Sequence, residues 1–173
     1  MSILEKLSLI TTFVFDMDGV LTTGSLGILP QGEYTRVMDI KDGYAIQYAI
    51  KQGYNVWVIT GSSSAACKQR LSYLGITEYY DLAKDKAATI TMLIAKYQVD
   101  LSQVLYMGDD VPDIAAMLMV GCPTCPANAA ADVIIQAKYI SPYNGGQGCV
   151  RDVIEKVMKL QGKWQAQADV AST

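Results

Sequence analysis

The sequence contains no histidine, and that absence removes every mechanism built on imidazole: no Ser-His-Asp or Cys-His nucleophile pair and no histidine metal ligand. Any acid or base must be a carboxylate, lysine, tyrosine, cysteine or bound water. Basic residues are also scarce. Fourteen Lys and Arg face 17 Asp and Glu, for a net charge of −3, and they are scattered, so no basic face invites nucleic acid or an anionic membrane. There is no apolar run of about 18 residues, and the opening "MSILEKLSLI" is too short and too weakly basic for a secretory signal. A cytoplasmic location with no membrane partner is the expectation. With 51% hydrophobic and 18% charged residues in 173, the composition is that of a folded globular chain, and the length favours one domain.

Cysteine is limited to Cys67, Cys122, Cys125 and Cys149. The "CPTC" spacing invites a zinc or redox reading, yet one such pair supplies only two ligands. Zinc would require Cys67 and Cys149 to converge on it, and a redox pair would want a helix N-terminus. The surrounding "VGCPTCPANAAADV" reads as a strand end and loop, so the thiols are expected to be buried or incidental.

What is present is an alternation of short apolar runs with longer helical patterns. "TTFVF" (11–15), "YNVWVIT" (54–60) and "VLYMG" (104–108) have the character of buried parallel strands. Between them, "DGYAIQYAIKQG", "SSAACKQRLSYLG" and "KDKAATITMLIAKYQ" carry apolar residues at three- and four-residue spacing, and two of them end at glycine. This βαβ rhythm predicts an α/β fold with a doubly wound parallel sheet. One segment departs from it: about 25–39, "SLGILPQGEYTRVMD", places a Pro-Gln-Gly turn between short extended runs and predicts a β-hairpin inserted after the first strand. After Val120 the chain reads as loop-rich until "NGGQGCVRDVIEKVMKLQGKW" enters a final amphipathic helix. Residues 1–163 are thus expected to form a single domain, with 164–173 a flexible tail.

In such a sheet, ligands gather beyond the carboxyl ends of the strands. Asp16 and Asp18 follow the first predicted strand, Thr60 and Gly61 the second, and "GDDVPD" (Gly108 to Asp113) the third. Carboxylates gathered at one edge repel one another unless a cation joins them, and a hard divalent ion such as Mg2+, which prefers oxygen ligands, suits that setting. Lys86, in "KDKAA", is a candidate positive charge for the same place. Taken singly, "DxD", "TG" and "GDD" are ordinary turn sequences. It is their occurrence in order after successive strands that marks a site.

"FVFDMDGVLT", "VITG", the Lys86 of "KDK" and "GDDVPD" together resemble the four ordered motifs of the haloacid dehalogenase superfamily of phosphohydrolases. The hairpin in place of a cap domain, with "NGGQGCVRDVIEKV" near the end, is similar to its small capless branch of sugar-acid phosphatases. The resemblance covers about residues 8–163. It implies Asp16 as a nucleophile that forms an aspartyl phosphate, Asp18 as general acid and base, and Thr60, with backbone amides, as phosphoryl contact. It further implies Lys86 as balancing charge and a magnesium site of Asp16, the Asp18 carbonyl and Asp109, with Asp110 and Asp113 in support. The implied substrate is a small phosphorylated sugar acid, either 3-deoxy-D-manno-octulosonate 8-phosphate or a nonulosonate 9-phosphate.

A capless site is open to water, and in the similar phosphatases a homotetramer covers it with neighbouring subunits. Gly61, Ser62, Arg70 and Arg151 are the positions the resemblance marks for substrate. Ser62 is a departure, because arginine or glutamate commonly follows the "TG". Two other readings compete. A receiver-like phospho-acceptor module shares an acid cluster, a Thr and a Lys, but its phosphorylated Asp is expected after a middle strand of the sequence rather than the first. A non-catalytic oligomeric member of the fold would have no need to keep Asp16, Asp18, Thr60, Lys86 and Asp109 together.

Overall fold

Thr12–Phe15 (β1) are all buried, and they form the middle of the sheet. In the computed structural model, which describes residues 2–165, β1 pairs in parallel with Asn55–Ile59 (β4) on one side and with Val104–Met107 (β6) on the other. Glu78–Tyr80 (β5) extends the sheet beyond β4, while Cys122–Cys125 (β7) and Tyr139–Ile140 (β8) extend it beyond β6. The six strands run β5-β4-β1-β6-β7-β8, all parallel. Winding therefore reverses at β1, where a crevice opens at the carboxyl ends of its neighbours.

Side chains alternate across the sheet as a period of two requires. Phe13 and Phe15 of β1, Val56 and Val58 of β4, and Leu105 and Met107 of β6 face one layer. That layer is closed by helices Ile3–Ser8 (α1), Ile40–Lys51 (α2), Ala65–Tyr73 (α3) and Cys149–Leu160 (α7). Val14, Trp57, Ile59, Val104 and Tyr106 face the other layer, closed by Lys86–Tyr97 (α4), Ile114–Met119 (α5) and Ala131–Ile134 (α6). Because both faces are covered, the central strands carry continuous apolar runs, which is why they stand out in the sequence.

The predicted hairpin is present as Gly27–Ile28 (β2) and Tyr34–Thr35 (β3), paired antiparallel and outside the main sheet. No cap domain accompanies it among the described residues. The expectation of loop after Val120 is corrected: β7 and β8 lie there. β7 escapes notice because it is "CPTC", and proline normally argues against an interior strand. Pro123 is tolerated at the start of the β8 ladder, where its carbonyl accepts the N–H of Lys138 and no strand residue needs its missing donor. Cys122 and Cys125 consequently face opposite layers, so the pair cannot share a metal. All four thiols are free and buried, and burial pushes those of Cys122 and Cys125 up to about 11.

Trp164, within the expected tail, packs edge-on against Tyr48 at 5.3 Å and Tyr44 at 6.3 Å. Residues 166–173 of that tail lie outside the described residues. No described helix is long and apolar enough to cross a membrane.

Candidate active site

Asp16 leaves the end of β1 with extended backbone, and its Oδ1 accepts the N–H of Met17 at 2.7 Å. The chain then makes a tight turn over Met17–Leu21, and Gly19 takes φ +84°. Only glycine fits there, for two independent reasons. The left-handed backbone disfavours a side chain, and a Cβ would lie 1.9 Å from Oδ2 of Asp109. The first acidic loop and the loop after β6 are thus held in direct contact.

A second glycine pair closes the loop from behind. A Cβ on Gly145 would lie 1.8 Å from the carbonyl oxygen of Gly19, and the N–H of Gly146 donates to the carbonyl of Val20 at 2.8 Å. The "NGGQG" glycines thereby let the segment leading into α7 lie against the backbone of the acidic turn.

Asp16, Asp109 and Asp113 each bring a carboxylate oxygen within 4.8 Å of the others. Lys86, at the first position of α4, reaches in with Nζ 3.0 Å from Asp16 Oδ1 and 2.7 Å from Asp113 Oδ1. Burial opposes the lysine's charge, but the carboxylates of Asp16 and Asp113 outweigh it and hold the ammonium form. Burial pushes the carboxyls of Asp16 and Asp109 up to about 7, with repulsion from Asp113 adding to both and Lys86 pulling the other way. One lysine is insufficient for two buried acids and a third that is half-buried.

The three acids are not equivalent. Asp113 Oδ1 accepts Lys86 Nζ and the Tyr106 hydroxyl at 2.6 Å, while its Oδ2 accepts the N–H groups of Asp109 and Asp110 at 3.1 and 3.3 Å. Its four acceptor positions are used by Lys86, Tyr106 and two backbone N–H groups, so it orients Lys86 and the loop. The Asp109 carboxylate accepts no hydrogen bond from any other described residue and, with Asp16, borders a cavity of about 330 Å³. An all-oxygen donor set in which one half-buried carboxylate lacks a donor fits a hard divalent cation such as Mg2+. Asp110 caps the turn Val111–Asp113 through the N–H of Val111 and also borders the cavity.

Asp18 borders the same cavity but its carboxylate turns to a different set of partners. Arg36 Nε and Nη2 donate to Oδ1 at 2.6 Å and Oδ2 at 3.2 Å. Ser62 Oγ donates to Oδ2 at 2.7 Å, and Thr22 Oγ1 to Oδ1 at 3.3 Å. Burial raises the Asp18 carboxyl, but the hydrogen bonds from Arg36 and Ser62 overcome it and leave it below the usual carboxylate range.

Thr60 lies buried at the end of β4, its hydroxyl 3.2 Å from that of Ser62, and Gly61 lines the cavity. Ser62, marked in the sequence for substrate, donates its hydroxyl to Asp18. Arg70 and Arg151 do not line this cavity. Arg70 approaches Gly43 and the ring of Tyr73. Arg151 pairs with Glu155 at 3.0 Å, lies over Tyr44 and Trp164, and borders a separate cavity of about 450 Å³.

Arg36 was not marked in the sequence, because it lies inside the segment read as an inserted β-hairpin. A period-of-two signal points to it. The bridge between Thr22 and Met38 ties the return arm of the hairpin to the end of the acidic turn. Residues 36 and 38 then share one side, turned inward, while Val37 between them is 65% exposed.

Comparisons with known proteins place the sheet and the chain in a family. A model for haloacid dehalogenase-like hydrolases matches residues 39–121. The 3-deoxy-D-manno-octulosonate 8-phosphate phosphatase of Yersinia pestis is 32% identical over 161 residues, covering 93% of this chain and 86% of that protein. The phosphatase of the same name from Escherichia coli K12 matches with the same identity and coverage. Among solved structures, the Yersinia pestis enzyme superposes with a TM-score of 0.91 at 32% identity, over 93% of this chain and 87% of its own. The Moraxella catarrhalis enzyme, crystallised with magnesium, phosphate and a KDO molecule, gives 0.89 at 31% identity, over 92% and 91%. The sheet, its acidic edge and these likenesses define a phosphoric monoester hydrolase. The chain belongs to the haloacid dehalogenase-like hydrolase family, in company with sugar-acid phosphatases.

Proposed function

We propose that this chain is a magnesium-dependent cytoplasmic phosphatase that hydrolyses 3-deoxy-D-manno-octulosonate 8-phosphate, or a nonulosonate 9-phosphate, through an aspartyl phosphate on Asp16. The observation that carries the reading is the placement of the Asp16 carboxylate, 3.0 Å from Lys86 and beside the unpartnered Asp109, at the switch point of the sheet. The octulosonate phosphate is favoured by the names of the relatives at 32% identity over 93% of the chain.

Asp16 attacks phosphorus, and the bond from phosphorus to the ester oxygen breaks. Asp18 gives that oxygen its proton, then takes one from the water that attacks phosphorus in the second step and restores Asp16. Lys86 offsets the negative charge that would oppose attack by a carboxylate on a phosphate. At ~4 Å two unit charges repel by about 4 kcal/mol at an effective dielectric near 20. Thr60 and the amides after Asp16 are assigned to the phosphoryl oxygens. Asp16 and Asp109, with the Asp18 carbonyl, would hold Mg2+, whose chemistry there is to neutralise phosphate charge.

Substrate selection is assigned to an assembly. The hairpin exposes Leu26, Ile28, Tyr34 and Val37, an apolar group suited to covering in a homotetramer. In that arrangement Arg70 and Arg151, remote from their own chain's cavity, serve a neighbouring one.

The test is magnesium-dependent phosphate release from an aryl phosphate and from a panel of sugar-acid phosphates. Wild type is expected to turn over the octulosonate or nonulosonate ester, and Asp16→Asn to lose about 10³-fold or more in kcat. No turnover on any ester overturns the reading, and a fully active Asp16→Asn removes the assigned nucleophile.

A further inference from the structure

Asp18 has a partner whose geometry is more specific than its reading as a proton donor requires. Arg36 approaches the carboxylate edge-on, through Nε on one oxygen and Nη2 on the other. A two-point contact of this kind fixes the plane of the carboxylate as well as its position. The side chain of Arg36 is 7% exposed against 32% for Asp18. Of the two, Asp18 borders the cavity and Arg36 does not.

The other partners of Asp18 are hydroxyls, Ser62 and Thr22. A hydroxyl turns from donor to acceptor by rotating its hydrogen, so these contacts can follow a proton that leaves and returns. A guanidinium has no acceptor and cannot follow it. Arg36 is thus the fixed member of the set, and it is delivered by the return arm of the hairpin, pinned through the bridge from Thr22 to Met38 and the bond from Thr23 N–H to the carbonyl of Val37.

We propose that Arg36 is a positioning residue for Asp18: its two-point contact fixes the plane of the carboxyl group toward the leaving oxygen, and the hydroxyls of Ser62 and Thr22 turn to accept while Asp18 carries the proton, so that the hairpin governs protonation of the departing alcohol. The inference rests on the assignment of Asp18 as the acid. Misaiming a catalytic group by about 1 Å costs on the order of 10²-fold, and that cost falls only on esters whose leaving group needs a proton.

The full-length chain is assayed with magnesium on three esters: 4-nitrophenyl phosphate, whose leaving group departs unprotonated, a neutral sugar phosphate, and the sugar-acid phosphate. In kcat/KM, which reports steps through leaving-group departure, Arg36→Ala is expected to lose about 100-fold on both alkyl esters and less than about 10-fold on the aryl ester. Arg36→Lys, with one-point contact, recovers part of the alkyl loss. Ser62→Ala gives a smaller loss with the same preference, and these two variants carry the comparison if Arg36→Ala does not fold. Equal losses on all three esters assign Arg36 to structure alone and overturn the proposal, as does a loss confined to the carboxylate-bearing ester, which makes it a substrate contact. A wild type silent on every ester overturns the phosphatase reading and this inference with it. A wild type active on all three leaves that reading standing whatever Arg36→Ala does.

Discussion

Lys86 Nζ sits closer to Asp113, at 2.7 Å, than to Asp16, at 3.0 Å. The lysine is therefore anchored by an acid that has no acceptor position to spare, and its charge is shared with the acid that does. Asp113→Asn would set amide hydrogens against the N–H groups of Asp109 and Asp110, or against Lys86 and the Tyr106 hydroxyl. Lys86 keeps its pairing with Asp16, so the cost is that of buried donors left without an acceptor, about 1–3 kcal/mol, and a loss of that order is expected in urea unfolding. The same variant should lose phosphatase activity, since Lys86 is released from its anchor. Unchanged stability would show that the anchor is dispensable.

Gly19→Ala addresses the contact between the two acidic loops. The added methyl meets Asp109 Oδ2 at 1.9 Å and the backbone is held at φ +84°, a conformation that costs a non-glycine residue about 1–2 kcal/mol. Asp109 must turn aside, so the concentration of magnesium at half-maximal activity should rise by about tenfold or more. The magnesium-induced shift in melting temperature should shrink in parallel. A variant that binds magnesium as wild type does would remove Asp109 from the ligand set.

The pH dependence of stability has one contribution that can be isolated. Asp42, 2% exposed in α2, accepts the N–H groups of Gly148 and Arg151 at 3.3 and 2.7 Å, and burial pushes its carboxyl up to about 6. Between about pH 4 and 6 the folded chain holds a proton here that the unfolded chain has released. This group therefore makes stability fall as pH rises across that window, by up to about 3 kcal/mol, and level off above it. Asp42→Asn removes the titration, so the stability of the variant relative to wild type should climb from pH 4 to pH 7. A flat difference would place the Asp42 pKa near its ordinary value.

The hairpin offers a test of assembly. Ile28 and Val37 are 75% and 65% exposed. If these residues are covered between subunits, replacing both with glutamate buries charge at the contact. Sedimentation at micromolar concentration is expected to show a tetramer for wild type and smaller species for the variant. A wild-type monomer would end the tetramer proposal.

The parts of this molecule that the sequence made legible are those with a strong local signature. β1, β4 and β6 are apolar on both faces, and the acids at their ends fall in turns that any strand assignment exposes. The hairpin was visible through its Pro-Gln-Gly turn. β5, β7 and β8 were not: two are edge strands of two or three residues, and β7 is written in cysteine, proline and threonine. Their strand character comes from pairing, β5 with β4, β7 with β6 and β8 with β7, which is a tertiary effect. Arg36 and Tyr106 were missed as site residues for a related reason. Each acts on an acid distant in sequence or across a turn, Arg36 on Asp18 and Tyr106 on Asp113, and neither belongs to a run of acids.

The contact of Gly145 and Gly146 with the turn after Asp16 has a consequence for biosynthesis. The acidic turn leaves the ribosome well before the glycines that brace it and the Cys149 thiol that donates to the Val20 carbonyl. A nascent chain halted before about residue 150 holds Asp16, Asp18, Lys86 and Asp109 but leaves the backbone around Gly19 unsupported. Activity should therefore wait on the segment that enters α7, and a chain cut before Gly145 is expected to be less active than the whole chain in the same phosphate-release assay.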